Sequence, residues 1–300
     1  MRQLRLLTVL LSVSSGAAAG LTSSVIADDD GEALLPGRIL IAFTSLRDGR
    51  NTGVYFFQLD QSGSGTSLGR VPAGGDRSDH HPALTADGAL CIYASEVVAN
   101  ACTIAGWNIA TEEEVDLSGV NKSPNALMAP SFATEANLLA FEAWNRPGGS
   151  GRWDIVLYDL KESRFLSTPL LNSAEYDERK PSITADGRRI ALTTNQRSSE
   201  SLTDIAVYDR DKSAITAPPG LNSRHMDTEP ALSGDGRWLA FVSDRPGGAG
   251  ARDIWLYDLQ EQQLVELPGL NSVGQEQSPA LTADGRFLAF VSERLDGAGE

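Results

Sequence analysis

The chain has 300 residues, 41% of them apolar, with 29 glycines and 14 prolines. That is ample material for one large all-β core or two ordinary domains, and the glycine and proline content favours many turns. The formal charge of −15 gives a surface that repels phosphate backbones and anionic headgroups, which argues against nucleic acid as a partner.

In chain order, "MRQLRLLTVLLSVSSGAAAG" comes first: arginines at 2 and 5, an apolar run from Leu6 to Val13, and small residues ending at Ala17, Ala18 and Ala19. These are the three regions of a secretory signal peptide over residues 1–19, with a second candidate cut after Ala27. A short buried helix is the competing reading, and it leaves the basic start and small-residue end as coincidences. The segment is too short and too weakly apolar beyond Val13 to span a bilayer. No cysteine follows to carry a lipid anchor, so the expectation is export and release, to the periplasm or beyond. Losing Arg2 and Arg5 with the leader takes the charge from −15 to −17.

Beyond the leader the sequence repeats itself. Pro82, Pro130, Pro181, Pro230 and Pro279 open similar strings at spacings of 48, 51, 49 and 49 residues, and "ALLPGRILIAF" from Ala33 lies over "ALTADGRFLAF" from Ala280 without a gap. A period near 49 means an array of like units. Each full copy holds four strand-like runs, in the fifth "PALS", "WLAFVS", "DIWLYDL" and "QLVELP". Asp-Gly between the first two, at Asp87-Gly88, Asp186-Gly187, Asp235-Gly236 and Asp284-Gly285, is a hairpin signal, and a turn with positive φ at both residues is expected. The second runs are apolar on consecutive positions, as suits a sheet covered on both faces. The fold expected is an all-β, six-bladed β-propeller of four-stranded antiparallel blades over residues 32–300. Its inner strands fall near 33–35, 82–85, 130–133, 181–184, 230–233 and 279–282, and the last blade is incomplete.

These strings, read as P-x-L-x-x-D-G-R-x-L-A-F-x-S-x-R followed by D-I-W-L-Y-D-L, resemble the repeat of TolB-type propellers, relatives of WD-repeat proteins. The resemblance covers the chain from about residue 32 and implies a six-bladed ring. It implies no particular partner, because the N-terminal α/β domain that accompanies the TolB propeller has no counterpart between leader and first blade.

Several residues invite chemistry. Arginines after the second runs pair in spacing with aspartates before the third, Arg146 with Asp154, Arg197 with Asp204 and Arg245 with Asp253, and an ion pair or loop-to-backbone hydrogen bonds within each blade explain them. In blade two Val97 and Thr103 stand at those positions, while the two cysteines, Cys91 and Cys102, flank the same hairpin. Either a cross-hairpin disulfide replaces the polar link or both are small buried thiols. "GTSLG" from Gly65 matches a hydrolase nucleophile elbow in letters only, with no helix to follow it. His80, His81 and His225 read as exposed loop histidines, since adjacent histidines chelate poorly together and a metal site needs three or four converging ligands. Asn121, Asn172, Asn222 and Asn271 read as turn residues bonding to local backbone.

The segments before the blade-opening prolines, "DRSDHH", "YDERK", "RHMDTE" and "GQEQS", are where the copies differ most. They read as loops at the channel mouth, and Asp79, His80, His81, Arg179, Lys180, Asp227, Glu229 and Glu276 bring both charge signs toward the axis. That mixture suits a polar peptide or saccharide, and equally a solvated rim. The function expected is a non-catalytic exported module binding a protein or polymer, with no cofactor and no metal. A metal-dependent, lactonase-like propeller hydrolase is the alternative; it would need blade-specific acids and amides on inner strands, and "PALT", "PSIT" and "PALS" carry none. The final copy stops before its third run, which leaves "FLAFVS" as an apolar edge. Residues 20–31, a partner's strand or further sequence would cover it.

Overall fold

The computed structural model describes residues 5–6, 23–27, 39–46, 51–60, 64–72, 76–98, 101–122, 126–146, 148–195 and 203–294. Among them every regular element is a strand, and none is a helix able to cross a membrane. The architecture is an all-β propeller of small antiparallel sheets. Five sheets have four strands each in simple up-and-down order. The sixth pairs Glu276–Leu281 with Phe287–Ser292, and Arg5–Leu6 lies parallel on its edge against Phe287 and Leu288.

Inner strands of blades two to five and of the sixth sheet run Ser78–Leu84, Leu127–Ala133, Glu178–Ile183, Asp227–Leu232 and Glu276–Leu281. Each therefore begins about three residues before its proline, so the segments expected to be loops are sheet. The first blade departs further. Residues 33–35 lie outside the described residues, and the strand pairing with Ile39–Ser45 is Ser23–Ala27. It neighbours the inner strands of blade two and of the sixth sheet, closing the ring between first and last. Of residues 20–31, proposed as a cover for the "FLAFVS" edge, Ser23–Ala27 is thus strand in blade one, and the rest lie outside the described residues.

The second strands form the core. Leu139, Ala140, Ile190, Ala191, Leu239, Ala240, Phe241 and Leu288 are fully buried, because each blade packs between two others and leaves no solvent face for alternation to mark. The Asp-Gly turns differ from the mirror-image type expected. Only the glycine takes positive φ, 67° at Gly88, 70° at Gly187, 71° at Gly236 and 67° at Gly285. The aspartate works by its side chain: Asp235 Oδ1 accepts from Ser233 Oγ at 2.5 Å and from Arg237 N–H at 3.0 Å. These tips also join blade to blade, as Ala185 N–H donates to Gly234 O at 2.9 Å and Asp235 N–H to Ala283 O at 3.0 Å.

The repeated asparagines do more than close turns. Asn121, Asn172, Asn222 and Asn271 each reach seventeen residues back, accepting from and donating to one residue of the third strand. Asn172 Oδ1 accepts from Ile155 N–H at 2.8 Å while its Nδ2 donates to Ile155 O at 2.9 Å. One carboxamide thereby satisfies two backbone groups that a further strand would otherwise have to meet.

The arginine pairings are revised. Asp154 and Asp253 bind their own loops, Asp154 accepting from Ser150 and Gly151 and Asp253 from Ala249 and Gly250. Arg245 turns inward to Asp227 at 2.6 Å, and Arg146 lies over the Phe165 ring. Arg197 lies outside the described residues, and counting on from Thr194, the counterpart of Ser243, places Gln196 at the position of Arg245.

The cysteines are not bridged. Cys91 stands opposite Trp107 and Cys102 opposite Glu96, and five residues of strand separate them by roughly 16 Å, far beyond the Cα separation a disulfide allows. Burial raises both thiol pKa values, that of Cys102 to about 11. Neither should react with a thiol reagent in the folded protein, and both should react after denaturation without reductant; a protein with no titratable thiol in denaturant would contradict this.

Candidate functional site: the axial channel

A cavity of about 260 Å³ runs along the axis, lined by the inner strands of blades two to five and of the sixth sheet. Its polar end has one source. The residue before each proline takes a left-handed conformation, with φ of 53° at His81, 47° at Ala129, 50° at Lys180, 53° at Glu229 and 53° at Ser278. At each point the register with the second strand slips, between His80 and Ala83, Met128 and Ser131, Arg179 and Ser182, Thr228 and Ala231, and Gln277 and Ala280. This is a β-bulge repeated five times, and a bulge re-aims the side chain it carries. Here the side chain before the proline is re-aimed into the channel, and the proline, which has no N–H to offer a ladder, sits where the ladder is already broken.

The five bulge residues differ, so the ring they make has a pattern. Lys180 Nζ meets Glu229 Oε1 at 2.7 Å, and Glu229 Oε2 accepts from Ser278 N–H at 2.7 Å. Both contacts join residues 49 apart, one blade to the next. Ala129 leaves a gap between Lys180 and His81. His81 is half-buried and its Nδ1 has no hydrogen-bond partner. Desolvation, with His80, Lys180 and Arg179 adding to it, pushes its pKa down to about 3, so the ring is neutral at physiological pH. Histidines 80 and 81 are accordingly strand residues within the propeller, not exposed loop groups; His225 is the exposed one, 44% accessible.

The eight residues singled out from sequence separate into three layers. His81, Lys180 and Glu229 line the channel. His80 and Arg179, one step earlier, lie between blades: His80 contacts Thr52 Oγ1 at 3.1 Å, and Arg179 Nε donates to buried Glu142 at 2.9 Å while its guanidinium covers the Trp153 ring. Asp79, Asp227 and Glu276, two steps before the ring residues, are buried. They are corrected from mouth-loop positions to internal ones, where Asp227 and Glu276 spend their oxygens on the fold and Asp79 faces Arg77 with its Oδ1 unpartnered. Asp227 pairs with Arg245 and accepts from Ser223, and Glu276 accepts from Ser272 and Ser292. Sequence reasoning missed Ser278 and Ala129 as ring members; their place immediately before a blade-opening proline was the available signal. Among the described residues no three His, Cys, Asp or Glu side chains are grouped to hold a metal.

The fold and channel define a class, the all-β propeller whose blade-specific side chains converge on an open axis. Within that class the fold is that of a TolB-type propeller. TolB from Acinetobacter baumannii superposes with a TM-score of 0.60 at 17% identity over 87% of this chain, which spans 56% of that one. A protein described as TolB from Agrobacterium tumefaciens gives 0.57 at 15% identity, over 92% of this chain and 100% of the other. No protein-family model and no curated protein matches the sequence.

Proposed function

We propose that this protein is an exported, non-catalytic six-bladed propeller that binds a protein or polymer at the polar end of its channel. The observation carrying this reading is the bulge ring. His81, Lys180 and Glu229 occupy one structural position in blades two, four and five, differ in chemistry, and are held rigid by backbone that the fold repeats. Positions that repeat identically, such as the latch asparagines, are accounted for by internal bonds. The ring offers a lysine ammonium, a carboxylate and a neutral imidazole within one opening, a set suited to a polar chain rather than to nucleophilic chemistry. The likeness to TolB structures supports the propeller and leaves the partner open.

Export rests on the leader-like residues 1–19, and the architecture bears on where the cut falls. Removal of residues 1–27 would delete Ser23–Ala27, the inner strand of blade one. A cut after Ala19 spares it, so the exported chain should begin at Gly20. N-terminal sequencing of the secreted or periplasmic protein checks this; a chain beginning at Asp28 would contradict the role given to that strand.

Partner capture from a periplasmic extract by the mature protein should fall about tenfold with Lys180→Ala, the order of a lost interfacial charge contact. Lys212→Ala, at an exposed position 77% accessible, should leave capture unchanged. Equal capture by both variants would move the binding surface away from the channel.

A further inference from the structure

The buried acids three residues before the prolines do not occur alone. In blade five Asp227, wholly buried, holds Arg245, whose Nη2 donates to Asp227 Oδ1 and to Leu221 O, both at 2.6 Å, while Nε donates to Ser243 Oγ at 3.0 Å. The guanidinium lies between the Phe241 and Trp255 rings, 4.9 and 5.2 Å from their centroids. In the sixth sheet the arrangement recurs: Arg294 donates to Leu270 O and to Ser292 Oγ, and Ser292 donates to Glu276 at 2.7 Å. Blade two has Val97 in the arginine position, and there Arg77 approaches Asp79 instead, at 3.3 Å. Blade three has Leu127 in place of the acid and, two residues beyond Ala143, which pairs with Leu127, Asn145 in place of the arginine. In each of these blades either the acid has a cation near it or the acid is absent.

Blade four breaks the rule. Glu178 is 1% exposed, and its Oε2 accepts from Ser173 N–H at 3.0 Å. Its Oε1 has no partner. Counted along the ladder, Gln196, which lies outside the described residues, falls at the position of Arg245, and both aromatic walls are gone, Leu192 standing for Phe241 and Ala206 for Trp255. The described part of the seat is its oxygen side: the Glu178 carboxylate, the carbonyl of Leu171, which precedes Asn172 as Leu221 precedes Asn222, and Thr194, opposite Glu178 in the ladder as Ser243 is opposite Asp227. A buried carboxylate oxygen left unpaired is among the costlier arrangements a fold can carry.

We propose that blade four binds a small monovalent cation, potassium, sodium or ammonium, between Glu178, Leu171 O and Thr194, in the place a guanidinium holds in blade five. Oxygen donors from a carboxylate, a carbonyl and a hydroxyl suit a hard cation. Without the Phe and Trp faces the seat has nothing to stack a planar guanidinium, which favours a compact ion over a partner's arginine. Among the described residues the other charged groups acting on Glu178, Asp154 and Asp177, are both acidic and add to the attraction.

A proton is the rival occupant. Burial, with Asp154 and Asp177 behind it, raises the Glu178 carboxyl to about 7. Because this folded value lies above the unfolded one, the uncompensated site loses stability as pH rises through 7, and below about 4.5 the difference vanishes. The cation effect should therefore be present at pH 8.5 and absent at pH 5.5.

The test is thermal unfolding of the mature protein at pH 8.5 in potassium, sodium, ammonium or tetramethylammonium chloride at one ionic strength. The expected result is a saturable rise of about 2–4 °C with one or more of the small ions over tetramethylammonium. It should be lost in Glu178→Gln and in Gln196→Arg, each of which should unfold at a higher temperature than the wild type in tetramethylammonium. Indistinguishable unfolding in all four salts would overturn the proposal and leave protonation as the way Glu178 is accommodated. A salt effect that persists in Glu178→Gln would overturn it equally, since the ion would then act elsewhere.

Discussion

The geometry of the channel depends on one backbone feature, the left-handed residue that precedes each blade-opening proline. A non-glycine residue in that region costs of order 1 kcal/mol or more, and the inner strands bear it five times. The cost is met by surrounding structure: buried second strands on one side, the neighbouring blade on the other, and a proline that requires no ladder bond where the ladder slips. What the bulge provides is direction. An unbroken strand would alternate its side chains between blade interfaces; the bulge puts one residue per blade into a common ring, where residues 49 apart in sequence make contact, as Lys180 does with Glu229.

Behind the ring the inner strands of blades two, four and five and of the sixth sheet carry buried acids. Asp227 with Arg245 shows the complete form, an ion pair in which both partners are buried and the guanidinium spends its donors on a carbonyl and a hydroxyl as well. Such pairs are costly to break from one side, because the remaining charge has no water to return to. The blades therefore vary these residues together: blade three has Leu127 and Asn145 in place of the acid and the arginine, and blade four has Leu192 and Ala206 in place of the two flanking rings. Variation at the ring changes what the channel presents, while variation behind it changes how firmly a blade is held.

Much of the fold was legible in the sequence because a propeller writes its period into the chain. The prolines, the Asp-Gly turns and the apolar second strands marked the repeat, the strand order and five inner strands to within a few residues. The misplacements share a physical origin. "DRSDHH" and "RHMDTE" look like loops by composition, yet Asp79 and Asp227 lie in inner strands, buried beside Arg77 and Arg245. Likewise Ser23–Ala27 carries no proline or Asp-Gly turn, and its partner strand lies a dozen residues away, so the better-matched Ala33 string drew the alignment. For the cysteines, proximity along a hairpin was visible and register was not; a shift of five rungs separates a bridge from two isolated thiols. At the site, which residues differ between blades could be read directly, but which of three successive positions faces the axis depended on the bulge.

The most direct measurement is zero-length carbodiimide cross-linking of the folded mature protein followed by peptide mapping. The account predicts an amide between Lys180 and Glu229, joining blades four and five across the channel, and its loss in Glu229→Gln with the fold intact. Lys180 found unlinked, and acylated by a small reagent as readily as the exposed Lys212, would contradict the placement of the bulge residues in a common ring.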